Sequence, residues 1–209
     1  MIRGDGEKRQ NNVPVNFRNP MKKTVIAMAL AISGLTLAAA ASAQVYVGGS
    51  VGEAKWNASC EGTTNCSTHS NAYDLIAGYN LNSNWGVEAT YYSLGTISGS
   101  VDQATANIRA TGVDLSAVFK ADLGNKWQLF TKLGMADNRV EITATDGSLN
   151  VGMSNRSADP VAGIGATWTV NPSFALRVEF DERRLKIEVP TYSSTGNVAR
   201  LNVGIVASF

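Results

Sequence analysis

The chain has 209 residues, with 18 Lys and Arg against 17 Asp and Glu. A formal net charge of +1 gives no argument for a basic surface that would attract nucleic acid or for a polybasic membrane patch. Two cysteines and one histidine leave almost no ligands for a metal ion, so we predict no metal, no cofactor and no nucleic-acid partner. The charged fraction of 17% lies below the roughly 25% of a typical soluble domain.

Residues 21–43 have the three parts of a secretory signal peptide. Lys22 and Lys23 form a basic n-region, and residues 24–40 form an uncharged and largely apolar h-region. Ala41-Ser42-Ala43 is a cleavage site of small residues. We predict cleavage after Ala43, with a transmembrane helix as the alternative. The polar residues 1–20 are interpreted as a disordered extension or a misplaced start.

The remaining chain, residues 44–209, has the length of one domain. Alternation with a period of two residues predicts eight strands, at 45–54, 72–81, 85–96, 108–123, 127–142, 157–170, 174–186 and 197–209. Short turns alternate with long polar connections, the latter at 55–71, 97–107, 143–156 and 187–196. We therefore predict an all-β protein, an eight-stranded antiparallel up-and-down transmembrane β-barrel with short periplasmic turns and four long extracellular loops.

The two faces of these strands differ in charge. One parity is almost entirely apolar, and the opposite parity carries Asp74, Glu88, Asp114, Lys120, Asp122, Lys132, Arg177, Glu179, Asp181 and Arg200. A soluble barrel would turn its charges outward, whereas a midplane Lys or Arg facing lipid would cost about 2–4 kcal/mol. We therefore assign the apolar face to lipid and the charged face to the lumen.

The last strand ends on Phe209 and shows the same alternation, with Arg200 and Asn202 on the lumenal parity. An unprotected terminal strand needs a partner, and we expect it to pair with strand 45–54 and close the barrel. Aromatic residues lie next to the short turns and at the end of the chain, which predicts an interfacial girdle of Trp85, Trp127, Trp168, Phe174 and Phe209. Ordinary core positions are the alternative for these rings.

Several stretches resemble the transmembrane barrel domain of the outer membrane protein A family. They are 78–88, 115–135, 162–182, the run Thr131-Lys132-Leu133-Gly134, the run Leu176-Arg177-Val178-Glu179-Phe180 and the strand ending in Phe209. The resemblance implies an outer-membrane protein of Gram-negative bacteria, surrounded by outer-membrane lipids and lipopolysaccharide and folded by the assembly machinery through its last strand. The chain ends at the barrel, so we do not expect the family's cell-wall tethering.

The resemblance also implies a lumenal ion pair between Glu88 and Arg177. A lysine that competes for the acid in the family aligns with Val118 here, and a second lumenal acid aligns with Thr167. Lys120 and Lys132 could substitute for that lysine, with Glu179 and Arg200 as further inward charges. A small gated pore and a closed, structural network both remain open, because eight strands leave an interior only just wide enough for side chains.

The first long loop contains Cys60, Cys66 and His69. Export through an oxidising compartment favours an intraloop disulfide, with two free thiols as the alternative. His69 lies near Ser67, Ser70 and Glu61, the residue types that a lipid A-modifying barrel enzyme would need. A lone histidine in a flexible loop is weak support for catalysis. We predict a non-enzymatic structural or surface-display barrel, contributing to envelope integrity or to adhesion through loops that could bind a host or cell-surface ligand.

Overall fold

The computed structural model describes residues 44–102, 104–189 and 192–209; the extension 1–20 and the signal peptide 21–43 lie outside this part. In the part described, no helix is long and apolar enough to cross a bilayer. The strands are β1 Val45–Trp56, β2 Asn65–Cys66, β3 His69–Asn80, β4 Trp85–Val101, β5 Ala104–Gly124, β6 Trp127–Asp146, β7 Leu149–Asn171, β8 Phe174–Val189 and β9 Tyr192–Ser208.

Eight of these strands form a closed antiparallel ring. Each long strand pairs with the next one along the chain, and β4 also pairs with β5 so that the order returns on itself. The closing seam joins β9 to β1 over eleven residue pairs, from Tyr46↔Ser208 to Trp56↔Val198. The two-residue strand β2 lies on the upper part of β4. The eight-stranded barrel and the β1–β9 closure predicted from the alternation are confirmed.

The long connections differ from the expected polar loops. In three of them the strands continue nearly to the tip of the hairpin: β4 extends to Val101, β6 to Asp146 and β8 to Val189. Irregular structure is concentrated in the first connection, between β1 and β3. Backbone hydrogen bonds need no apolar side chains, so Ser-, Thr- and Asn-rich strands stay paired above the apolar band. Their side chains there show little apolar alternation, and composition alone therefore predicted loops.

The turns at the opposite end are held by side chains. Asn82 Oδ1 accepts the backbone N–H groups two and three residues later, at 2.9 and 2.8 Å, and Asn171 does the same at 2.9 Å for both. In the remaining turn, Gly124, Asn125 and Lys126 all have positive φ. Tight local hydrogen bonding thus explains why these connections are short.

The outer wall is apolar, as the parity predicted. Leu133 and Leu115 are 69% and 66% exposed, whereas the lumenal Glu88 is fully buried. The apolar band includes Val51, Leu75, Val87, Val113, Leu115, Leu129, Leu133, Ile164, Leu176, Val178, Phe180, Leu201, Val203 and Ile205. A continuous apolar surface around a closed barrel is the signature of a lipid-facing wall.

The five aromatic residues of the expected girdle lie at the short-turn end, and all are exposed on the outside. Trp127 and Trp168 are directly opposite each other on β6 and β7. Trp85 meets Phe119 edge to face, with ring centroids 5.0 Å apart. The Phe209 N–H donates to the Val45 carbonyl at 2.9 Å, which fixes the end of the chain to the first strand.

Inward-facing glycines make room for large lumenal rings. A Cβ atom on Gly78 would lie only 2.0 Å from Cζ of Tyr46 on the neighbouring strand. The Tyr46 ring cannot move away freely, because its hydroxyl donates to Glu88 Oε2 at 3.0 Å. A similar packing places the Phe130 ring over Gly165. A side chain at either glycine would therefore collide with the ring that lies over it.

We predict that Gly78→Ala destabilises the barrel by about 1–3 kcal/mol, since the new methyl group overpacks the lumen against Tyr46. Gly49→Ala is the matched control: its Cβ would face outward and meet Asp74 O and Leu75 Cδ2 at 3.6 and 3.9 Å, ordinary contact distances. Urea unfolding followed by heat-modifiable gel mobility would measure both. Equal stability of the two variants would contradict the packing argument.

Candidate functional site

The lumen is filled with side chains in successive layers. The layer closest to the short turns, here called the lower tier, consists of Tyr46, Glu88, Lys132, Arg177 and Glu179. Arg177 binds Glu88 with two hydrogen bonds, from Nη1 to Oε2 at 2.7 Å and from Nη2 to Oε1 at 3.0 Å. This paired geometry is the strong form of an Arg–carboxylate contact.

Glu179 joins the same guanidinium from within β8. Arg177 donates to Glu179 Oε2 from Nε at 2.9 Å and from Nη2 at 2.6 Å. Lys132 Nζ lies 2.5 Å from Glu179 Oε1 and 3.8 Å from Glu88 Oε1. The guanidinium carbon also lies 4.1 Å from the centroid of the Phe130 ring. Two acids and two bases therefore neutralise each other across the lumen.

A second group of charges, the upper tier, lies above the first and contains Asp74, Asp114, Asp181, Arg183 and Arg200. Arg200 donates to Asp181 from Nη2 at 2.7 Å and binds Asp74 through Nη1. Arg183 donates to Asp181 Oδ1 from Nη2 at 2.8 Å, and the same nitrogen lies 3.6 Å from Asp114 Oδ2.

Neutral groups complete the upper tier. Asp74 Oδ2 accepts hydrogen bonds from Ser50 at 3.0 Å and from Asn202 at 2.8 Å. Arg183 and Arg200 both lie over the Tyr92 ring, at 3.7 and 5.4 Å from its centroid. A buried charge without a partner is expensive, so this density of donors stabilises the acids away from water.

Above Tyr92 the lumen becomes largely apolar, apart from Asn138 and Asp159, which are buried and joined by a hydrogen bond of 3.0 Å. This apolar layer comprises the buried residues Ala54, Trp56, Ala72, Tyr92, Leu94, Ile97, Ala110, Ala136, Val140, Leu185 and Val198. The sequence analysis missed it, because its residues fall at lumenal positions above the membrane band. A register shift in β4 between Ser93 and Thr96, around Gly95 with φ 71°, brings both Leu94 and Ile97 inside.

Most of the lumenal residues expected from the sequence come together. Glu88, Lys132, Arg177 and Glu179 meet in the lower tier, and Arg200 joins the upper tier. Lys120 is different: it lies at the periplasmic mouth, where its ammonium donates to Asn80 and lies 4.5 Å from the centroid of the Tyr46 ring. Asp122 is exposed at the rim, where it accepts the Gly124 N–H at 2.8 Å.

The first extracellular connection contains the Cys60–Cys66 disulfide, which confirms the expected pairing. The imidazole of His69 contacts Glu53 rather than Glu61. Both neighbouring serine hydroxyls are turned to the backbone, Ser67 to His69 O at 2.9 Å and Ser70 to Leu94 O at 2.5 Å.

A family model described as the OmpA-like transmembrane domain matches residues 40–207. The chain belongs to this family. Outer membrane protein A of Escherichia fergusonii is 29% identical over 169 residues, covering 77% of this chain and 48% of that protein. The chain thus spans about half the length of the curated relatives that it matches. The family and these relatives locate the chain in the bacterial outer membrane.

Solved structures share the fold of this OmpA-like domain at low identity. Neisserial surface protein A has a TM-score of 0.59 and 16% identity, covering 80% of this chain and 98% of that chain. Ail, the attachment invasion locus protein of Yersinia pestis, has a TM-score of 0.51 and 13% identity, covering 79% and 97%. These likenesses concern the barrel architecture alone.

We predict that Arg177→Met costs about 3–5 kcal/mol of unfolding free energy, because it strands two buried carboxylates beside a single lysine. The double variant Glu88→Gln/Arg177→Met should cost less than the sum of its single variants, since removing the acid relieves part of that stranded charge. Urea titration in phosphatidylcholine vesicles measures the unfolding free energy of each variant.

Arg139→Met supplies the matched control for the Arg177 variants. Arg139 forms an ion pair with Glu141 at 3.0 Å, but both side chains are about half exposed, at 51% and 47%. An exposed pair contributes about 0–1 kcal/mol. Equal costs for Arg177→Met and Arg139→Met would show that the lower tier does not hold the barrel together.

Proposed function

We propose that this OmpA-like protein is a closed, non-conducting scaffold that displays polar hairpins at the cell surface and contributes to envelope integrity or adhesion. The observation that carries the proposal is the obstruction of the lumen by consecutive layers. Two ion-paired tiers fill the membrane-spanning half, and the apolar layer from Tyr92 upward fills the remainder. Ions would have to cross both kinds of obstruction.

A gated pore is the second candidate, and one contact favours it. Lys132 lies 3.8 Å from Glu88, close enough to compete with Arg177 for that carboxylate. Such an exchange would rearrange the lower tier only. Because Trp56, Leu94 and Leu185 lie buried above it, a switch of partners would still not give a continuous water path.

We expect planar-bilayer recordings of the native chain and of Glu88→Ala to show the same negligible conductance. Trp56→Ala, which opens the apolar layer but leaves the ion pairs intact, should also remain closed. Of these variants, the combined Glu88→Ala/Trp56→Ala is the one expected to conduct, since both obstructions are then weakened. Conductance in Glu88→Ala alone would favour the gate and contradict the closed scaffold.

The display role draws on the hairpin between β6 and β7, which extends far above the apolar band. Leu149, Val151 and Met153 alternate along β7 and are 64%, 47% and 47% exposed. Exposed apolar side chains on a protruding hairpin form a contact surface for another molecule. We propose that a host or cell-surface ligand binds to this hairpin.

The periplasmic end is proposed to serve membrane anchoring and assembly. The rings of Trp85, Trp127, Trp168, Phe174 and Phe209 would lie at the lipid headgroups, where amphipathic and bulky rings are favoured. The terminal strand β9 completes the ring, and we propose that the outer-membrane assembly machinery engages it through the Phe209 end.

We also propose that the protein is not an enzyme. A serine nucleophile needs an adjacent base within hydrogen-bonding reach, whereas Ser67 and Ser70 donate to backbone carbonyls. The His69–Glu53 contact links the exposed ends of β1 and β3 across their register. A structural role, joining the two strands, therefore accounts for this contact without catalysis.

Incubating the purified protein with lipopolysaccharide should leave lipid A acyl chains unchanged in a mass spectrum. The same experiment with His69→Ala serves as the control, and its spectrum should be identical. Loss or gain of an acyl chain that depends on His69 would show that the loop is catalytic.

A further inference from the structure

The outer wall carries an arginine pair for which the barrel supplies little compensation. Arg139 on β6 and Arg156 on β7 are directly opposite each other in the strand register, and both are exposed on the face that also carries Trp127 and Trp168. Like charges at directly opposed positions of a sheet are destabilising. An ordinary structural role therefore does not account for this pair.

The height of the pair follows from the register. Trp127 and Trp168 are opposed at the periplasmic rim, and Arg139 and Arg156 are opposed twelve residues further up the same two strands. About 9–11 residues of a tilted strand cross a bilayer. The arginines therefore lie just beyond the hydrocarbon, at the headgroup level of the outer leaflet.

The surrounding charges leave the pair short of acid. Glu141 binds Arg139 at 3.0 Å and lies opposite Arg109 on β5, while Asp137 lies two residues below Arg139. The three guanidinium groups of Arg109, Arg139 and Arg156 thus have two carboxylates near them. Among the side chains that the structure describes, which do not include those of residues 187–194, no carboxylate pairs with Arg156, which is exposed.

A partly apolar crevice opens in the wall below the pair. Its volume is about 490 Å³. Leu133, Pro160, Val161 and Ala162 form its apolar side, and Glu182, Arg184 and Asn197 line it from β8 and β9. Pro160 lies four residues below Arg156 on the same face of β7. Cations above a crevice with one apolar side match an amphiphile with an anionic head and hydrocarbon chains.

We propose that Arg139 and Arg156 bind a phosphate group of the lipid A part of lipopolysaccharide, with one acyl chain of that molecule in the crevice at Pro160. Two adjacent guanidinium groups can donate several charge-assisted hydrogen bonds to one phosphate. The phosphate supplies the negative charge that relieves the opposed arginines. The proposal rests on the outer-membrane location and does not depend on whether the lumen is closed.

The test places the full processed chain in phosphatidylethanolamine nanodiscs with increasing mole fractions of bisphosphorylated lipid A. Protein-bound lipid A is counted by native mass spectrometry, and the thermal unfolding midpoint is recorded. Arg139→Gln/Arg156→Gln should need about tenfold more lipid A for half-saturation, as expected for losing hydrogen bonds to a charged group. Heat-modifiable mobility verifies that the variant is folded.

Lys55→Gln is the control, because Lys55 is an exposed cation on the opposite part of the barrel, on β1. It should bind lipid A like the native chain. Dephosphorylated lipid A with the same acyl chains should bind weakly to every protein. Native-like binding by the double variant would overturn the proposal, and so would equal binding of dephosphorylated lipid A or of phosphatidylglycerol. The conductance experiment is made in membranes of phospholipid alone. A negative result for lipid A binding would therefore leave the test of the closed lumen unaffected.

Discussion

The narrow interior of an eight-stranded barrel is the constraint on which this structure depends. Such a barrel has room for side chains but not for a shell of water around each charge, so inward charges need partners of opposite sign. Five lumenal carboxylates meet four cations within the two tiers: Asp74, Glu88, Asp114, Glu179 and Asp181 against Lys132, Arg177, Arg183 and Arg200. Strand β8 carries Arg177, Glu179, Asp181 and Arg183 at consecutive inward positions, and it therefore contacts acids and bases from the strands around it.

The two kinds of filling act differently. Ion pairs in the tiers fix the distances between facing strands, because each guanidinium has a fixed donor geometry. The apolar layer above gains most of its stability from burial. Its directional contacts are made by Trp56, which donates to Ser70, and by Tyr92, which donates to Asn138. In the closed scaffold that we propose, electrostatics seal the lumen within the membrane and packing seals it above. The outside would then be the surface that interacts with other molecules, through its hairpins and through the arginines at the headgroup level.

Much of the barrel could be predicted from the sequence, because lipid and lumen impose opposite chemistry on alternate residues. The positions of Glu88, Lys132, Arg177, Glu179 and Arg200 followed from that alternation, and the Glu88–Arg177 pair from the family resemblance. The contribution of β4 to the apolar layer could not be predicted, since the shift at Gly95 brings Leu94 and Ile97 to the same side despite their odd spacing. Lys120 had the correct parity but lies beside Asn80 instead of the acids, because parity gives the face of a strand and not the partner across the lumen.

The disulfide of the first connection affects how this protein reaches its final location. Cys60 and Cys66 are six residues apart, so they can join in the oxidising periplasm without help from the folded barrel. The connection that contains them ends up beyond the membrane, where the adjacent residues Asn65 and Cys66 pair with the upper part of β4. If the bond forms there, the hairpin of β1 and β3 would carry a small covalent ring across the bilayer during insertion. Its outermost loop would then search fewer conformations at the cell surface than a linear segment of equal length.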